Sequence, residues 1–93
     1  MMVGICTMRL FIYEVQSLKE KRHVVKSVIE RVKSRFNASI AEVGDMDKWQ
    51  SSEIGFSCVS NSRRHLDEML NNIIHFIERD GRFEVSHIEM EIL

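Results

Sequence analysis

The alternation of two apolar periodicities along the chain constrains its fold more than any other feature. Four segments place apolar residues at every second position, as β-strands do: residues 2–13, 38–43, 52–60 and 83–92. Two segments, 18–36 and 62–79, place them at helical spacing instead. The order βαββαβ predicts a ferredoxin-like α+β sandwich, with two helices on one face of a four-stranded antiparallel sheet.

The predicted helices are bounded by capping residues and glycine, because the chain contains no proline. Ser17 stands three residues before Glu20 in capping-box spacing. Asp80–Gly81 follows the second helix, where a glycine C-cap is favoured. A chain of 93 residues is long enough for one hydrophobic core and too short for two, so we expect a single domain over 1–93.

Charge and composition exclude several function classes. A formal net charge of −1 gives no global attraction to nucleic acid or to anionic membranes, so charge-driven binding must be local. There is no apolar run of ~18 residues for a membrane span, and the N-terminus lacks the basic region of a signal peptide. We therefore expect a cytoplasmic protein with no membrane partner. Cys6 and Cys58 should be reduced thiols packed as small hydrophobes.

Three segments of the chain together resemble the YlxP-like family, a group of small bacterial proteins of unknown function. The segments are residues 17–22 (SLKEKR), 35–43 (RFNASIAEV) and 47–50 (DKWQ). The likeness covers nearly the whole chain and depends on the order and spacing of the segments. It implies a ferredoxin-like fold, a cytoplasmic bacterial protein and no established catalytic residues. Neighbouring genes of the family often serve translation, which implies RNA or the ribosome as a partner by association.

The first predicted helix concentrates positive charge. Over 18–36 it carries seven basic and two acidic residues, a charge of +5, so the rest of the chain carries −6. On a helical wheel, four of the cations fall within about 60° of one another. With one further lysine of the first turn they form the candidate site for RNA phosphates: Lys19, Lys21, Arg22, Lys26 and Lys33. Contacts of this kind position a nucleic-acid backbone without reading its bases.

The first turn of this helix strengthens the phosphate-binding hypothesis. Lys19, Lys21 and Arg22 lie at the positive end of the helix macrodipole, where each cation is unfavourable by about 0.3 kcal/mol or more. Free backbone N–H groups at the same end suit an anion. The alternative is a solvated helix face without a ligand, which is the usual role of a run of charges.

The strand face turned away from the helices is a second candidate site. Its apolar residues favour a homodimer or a protein partner, with contacts through Ile5, Phe11, Tyr13 and Ile40. The same face is expected to carry four carboxylates, which repel a phosphate backbone: Glu42, Glu53, Glu89 and Glu91. Base stacking on the sheet, as in RNA-recognition domains of similar topology, is therefore disfavoured.

The remaining residues give little indication of chemistry. Trp49, in the polar loop 44–50, is either an interface anchor or a lid folded over the core edge, and the lid is the commoner arrangement. Paired carboxylates such as Glu42 and Glu53 can perform acid–base work, but on an open sheet face they are more often only solvated. Zinc-motif spacing and a glycine-rich phosphate loop are both missing. We predict a non-enzymatic module without metal or cofactor; fold analogy alone supports a small-molecule regulatory domain.

Overall fold

The computed structural model describes residues 1–93 and contains the predicted order of strands and helices. The elements are β1 (Met2–Ile12), α1 (Leu18–Arg35), β2 (Ser39–Gly44), β3 (Ser51–Ser60), α2 (Arg63–Glu78) and β4 (Phe83–Ile92). All strand pairs are antiparallel, in the sheet order β2-β3-β1-β4. The fold is the ferredoxin-like α+β sandwich that the periodicities predict.

The central strand β1 shows how the sequence pattern separates the two faces of the sheet. Met8, Leu10 and Ile12 are at most 1% exposed, whereas Arg9 and Phe11 between them are exposed. Successive side chains of a strand point to opposite faces, so the even-numbered set packs under α1 and α2. The odd-numbered set lies on the uncovered side, which we call the open face.

The predicted capping residues begin both helices. Ser17 Oγ accepts a hydrogen bond from the Glu20 backbone N–H at 3.1 Å, and Glu20 Oε2 accepts one from the Gln16 N–H at 2.6 Å. Ser62 caps α2 by accepting from the His65 N–H at 3.3 Å. These bonds satisfy donors that have no partner inside the helix. They fix where α1, the carrier of most of the basic residues, begins.

A charged cluster after α2 holds the end of that helix against α1. The Asp80 carboxylate, 5% exposed, accepts a bidentate pair of hydrogen bonds from Arg82 at 2.6 and 2.7 Å. Arg31 of α1 lies 3.1 Å from the same carboxylate, and Arg82 also donates to Ser27 of α1 at 3.2 Å. Bidentate arginine–carboxylate pairs combine strength with fixed geometry.

This cluster predicts that the protein loses stability in acid. Hydrogen bonding from Arg82 holds the pKa of Asp80 below its ordinary 3.8, and a hydrogen bond from Ser51 lowers the pKa of Asp45 in the same way. The unfolded chain therefore binds more protons than the folded one, so the free energy of unfolding falls as the pH drops through 3.8 towards the folded values. Urea unfolding measured at a series of pH values gives this fall in the free energy of unfolding, which we call the acid limb of the stability curve.

Asp80→Asn is the informative variant and Asp67→Asn its control, because the exposed Asp67 carboxylate has no ion-pair partner within 4 Å. Asp80→Asn should make the loss of stability in acid smaller, with the contribution of Asp45 remaining, and Asp67→Asn should leave it as in the wild type. An equal limb in all three proteins would contradict the assignment.

The edge strand β4 contains a bulge opposite the middle of β1. The pairing register shifts between Thr7 and Arg9, and His87 adopts a left-handed φ of 52°. A bulge bends an edge strand and interrupts its pairing. Beyond it, Glu89 and Glu91 return to the open face opposite Thr7 and Ile5.

Candidate functional site

Lys21 is not an exposed phosphate ligand, and its inclusion in the candidate site was wrong. The side chain is 0% exposed, with Nζ 2.7 Å from Glu42 Oε2. The ammonium also donates to the carbonyl oxygen of Asp45 at 2.8 Å. The physical reason is helical spacing: Lys21 lies on the same stripe as the buried Val25 and Val28. The Lys21 ammonium group therefore points into the protein interior and not towards solvent.

Glu42 also differs from expectation, because it does not lie on the open face. It points to the helix-covered face together with Ile40, two residues earlier on β2. The fully buried Ser52 donates its hydroxyl to Glu42 Oε2 at 2.7 Å. No buried side-chain nitrogen or oxygen lacks a hydrogen-bond partner. The Lys21–Glu42–Ser52 cluster thus joins α1, β2 and β3 and belongs to the core.

The other four predicted cations share the outer surface of α1. Lys19, Arg22, Lys26 and Lys33 are all exposed, and none has a carboxylate within 4 Å. They span fifteen residues of one helix, and the fourteen steps between the first and the last correspond to about 21 Å along its axis. We call these four residues the basic row. It is held on a rigid element and makes no ion pair within 4 Å, with Glu30 as its nearest carboxylate in helical spacing, four residues after Lys26 and three before Lys33.

The remaining charges of α1 lie beside the basic row or turn away from it. Arg31 is paired with Asp80, and the guanidinium carbon of Arg35 lies 5.2 Å from the centroid of the Phe76 ring. The exposed Glu30 makes no ion pair within 4 Å. Only two of the seven cations on this helix, Lys21 and Arg31, are therefore in ion pairs within 4 Å.

The open face presents aromatic and aliphatic side chains to solvent. Phe11 and Tyr13 are 49% and 45% exposed and pack edge to face, with ring centroids 6.0 Å apart. Val43 and Val59, which the sequence did not single out, are 49% and 55% exposed. The half-buried Ile5 completes this surface at the centre of the sheet.

Two residues predicted for the protein interface have other surroundings. Ile40 is only 5% exposed and faces the helices, so it is not available to a partner, and its assignment to the open face was wrong. The alternation of β2 places it under α1, as it does Glu42. Trp49 is 45% exposed in the β2–β3 loop. Its indole is thus not the closed lid that we considered the commoner arrangement.

Carboxylates border the open face on the side of β4. Glu84, Glu89 and Glu91 are exposed, and Glu53 of β3 is half-buried on the same face. None of the four is in an ion pair. Arg9, the cation of this face, lies with Nε 3.7 Å from Asp45 Oδ2. The open face is therefore apolar along its middle and negative along one edge.

The two thiols lie in the core, as predicted. Cys6 is 1% and Cys58 3% exposed. Burial raises the pKa of the Cys6 thiol to about 11 and also raises that of Cys58. Both are accordingly protonated at neutral pH. No group of three or more His, Cys, Asp or Glu side chains is placed to hold a metal ion, and neither helix has the length and apolarity needed to traverse a bilayer.

The strand order and the two-helix layer define a small ferredoxin-like α+β protein. The family model described as "Protein of unknown function (DUF503)" matches residues 3–90, and the chain belongs to this family. It is also similar to "Uncharacterized protein YlxP" of Bacillus subtilis (strain 168), with 40% identity over 77 residues, which are 83% of this chain and 84% of the relative. The family resemblance inferred from the three sequence segments is confirmed.

Proposed function

We propose that this protein is a non-enzymatic binding module that contacts the phosphate backbone of structured RNA, including ribosomal RNA, through the basic row. The observation that supports the proposal is the exposure of Lys19, Arg22, Lys26 and Lys33 without a carboxylate within 4 Å of any of them. A row of lysine and arginine on one helix is the usual electrostatic footprint of backbone binding.

The arrangement of the row favours a ligand over a merely solvated face, because it costs helix stability. Lys19 and Arg22 lie in and next to the first turn, where the macrodipole disfavours cations. Arg22 and Lys26 are like charges at i,i+4, which destabilise a helix by about 0.2–0.5 kcal/mol. A phosphate chain along the row would relieve both repulsions.

The salt dependence of RNA binding tests the proposal. Four phosphate contacts give a slope of roughly −2.8 to −3.6 in log K against log salt, so affinity should fall ~50- to ~150-fold between about 50 and 200 mM salt. Fluorescence anisotropy with a labelled RNA hairpin measures it. Failure to bind at the lower salt, or equal affinity at both, would remove the basic row as an RNA site.

A second candidate function is a protein contact through the open face. It is favoured by the solvent exposure of Phe11, Tyr13, Val43 and Val59, which together form an apolar surface that monomeric proteins usually keep small. The contact is either a homodimer or a complex with another protein. Sedimentation velocity over a concentration series distinguishes the two: a homodimer should form at high concentration and dissociate in Val43→Glu, whereas a monomer leaves a different protein as the partner.

A further inference from the structure

The centre of the open face is a trough floored by small side chains. Thr7, Ala41, Gly55 and Ser57 lie side by side on β1, β2 and β3, since Thr7 and Ala41 both pair with Gly55. The concavity above them has a volume of about 300 Å³ and is flanked by Ile5 and Val43. A Cβ on Gly55 would lie 3.2 Å from Val43 Cγ1, so the absence of a side chain there keeps the floor low.

Two carboxylates of β4 border this trough, and a third lies farther along the same strand. In the register of β1 with β4, Glu91 stands opposite Ile5, Glu89 opposite Thr7 and Glu84 opposite Phe11. All three are exposed and without an ion-pair partner, so the border is uncompensated negative charge beside apolar surface. The complementary surface is convex and apolar along a ridge, with cations on one flank.

We propose that the trough binds a cationic amphipathic α-helix of another protein, with its apolar ridge over Gly55 and its lysines or arginines against Glu89 and Glu91. The inference rests on the second candidate function and names its partner chemistry. An amphipathic helix laid in an apolar groove is a recurrent recognition mode. Lysine stems also cover apolar surface while their ammonium groups reach a charged border.

A second copy of this chain fits the trough less well. In a homodimer packed open face to open face, the trough of one copy would lie against the trough of the other. The space between the two floors would stay unfilled, because Thr7 and Ser57 are too small to fill it. The copy's outer α1 surface supplies cations but no apolar ridge, because its apolar stripe of Val25, Val28 and Val32 is buried. Another protein's helix supplies both features.

A synthetic peptide of about 18 residues, built from leucine and lysine at helical spacing and fluorescently labelled, is the probe. We expect it to bind, and a peptide with glutamate in place of lysine, or one of scrambled order, to bind at least ~10-fold more weakly. Glu89→Gln and Glu91→Gln should each weaken binding ~1.5- to ~5-fold, as exposed ion pairs do. Glu78→Gln, on exposed α2 surface, is the matched control and should change nothing.

Filling the trough gives the decisive comparison. Gly55→Leu and Ala41→Leu both place a large side chain on its floor, and thermal unfolding identifies which variant retains the fold. Either folded variant should reduce peptide affinity at least ~10-fold. RNA affinity should be unchanged, because the basic row lies on α1, which covers the opposite face of the sheet. Equal binding of the lysine and scrambled peptides, or unchanged affinity in the filled variants, would overturn the proposal. A homodimer that Gly55→Leu abolishes would also overturn it, while preserving the open face as a protein interface.

Discussion

Replacing Lys21 by alanine is expected to lower the free energy of unfolding by about 3 kcal/mol, because it leaves the mostly buried Glu42 carboxylate without its cation. Glu42 Oε2 lies 2.7 Å from the Lys21 ammonium and is 18% exposed on its side chain. The carbonyl oxygen of Asp45 would lose its donor as well. Urea unfolding followed by the fluorescence of Trp49 measures the loss, since the indole lies in the loop that this carbonyl belongs to.

Two controls separate the buried ion pair from the general effect of losing a lysine. Lys19→Ala removes an exposed cation from the same helical turn and should change the free energy of unfolding by less than about 0.5 kcal/mol. The double variant Lys21→Met, Glu42→Leu replaces both charges by apolar groups of similar size and should recover part of the loss. The recovery is incomplete because the buried Ser52 hydroxyl and the Asp45 carbonyl oxygen still lack their partners. If Lys21→Ala were as mild as Lys19→Ala, the ammonium would not be buried in solution.

Reversing three charges of the basic row should abolish most RNA binding. At about 50 mM salt, counterion release makes each phosphate contact worth roughly tenfold in affinity. The triple variant Lys19→Glu, Arg22→Glu, Lys26→Glu should therefore bind a labelled RNA hairpin ~1,000-fold or more weakly than the wild type. Glutamate in the first turns suits the macrodipole, but positions 22 and 26, and 26 and Glu30, become like-charged i,i+4 pairs. Thermal unfolding of the variant is therefore measured alongside, so that a loss of binding is separated from a loss of fold.

The control of equal charge reverses three exposed cations elsewhere on the surface: Lys48, Arg63 and Arg64. Lys48 and Arg64 each lie 3.4 Å from a carboxylate, that of Asp45 and that of Glu68, so thermal unfolding of this variant is compared as well. The control changes the net charge by the same amount, so it isolates the position of the charges from their number. We expect it to weaken RNA binding by less than ~10-fold, since long-range repulsion is screened beyond about 10 Å at 0.1 M salt. Equal losses in the two variants would mean that the protein binds RNA by net charge alone.

Most of the fold could be predicted from periodicity, because each strand and helix has one apolar set that only one face can bury. Ser17 and Glu20 marked the start of α1 by local hydrogen bonding, which the structure reproduces. Local rules succeed here because capping involves neighbours in sequence. Strand alternation likewise predicts that Cys6 and Cys58 lie in the core, as the structure shows.

The errors concern residues whose partners are distant in sequence. Lys21 has the spacing of the buried Val25 and Val28, and Glu42 has the strand parity of Ile40, so a signal for both positions was present. Each residue alone is a charge that belongs in water. Only the fold brings the Lys21 ammonium and the Glu42 carboxylate within 2.7 Å, and that pairing allows Lys21 to be fully buried and Glu42 to be mostly so.

The sequence predicts the glutamates of β4 on the open face only in part, because their orientation depends on how β4 pairs with β1. Alternation along β4 placed Glu89 and Glu91 correctly on the open face. The bulge at His87 resets the alternation in the middle of the strand and brings Glu84 to the same side. A bulge depends on the partner strand, so one strand's own sequence does not specify it.

The most direct test of the basic row is the salt slope of RNA affinity, compared between the wild type and a variant with all four of its cations replaced by glutamine. The wild type should give a slope of roughly −2.8 to −3.6, and the variant a slope close to zero, because each lost phosphate contact removes about 0.7–0.9. The same slope in both proteins would contradict the assignment of RNA contacts to Lys19, Arg22, Lys26 and Lys33.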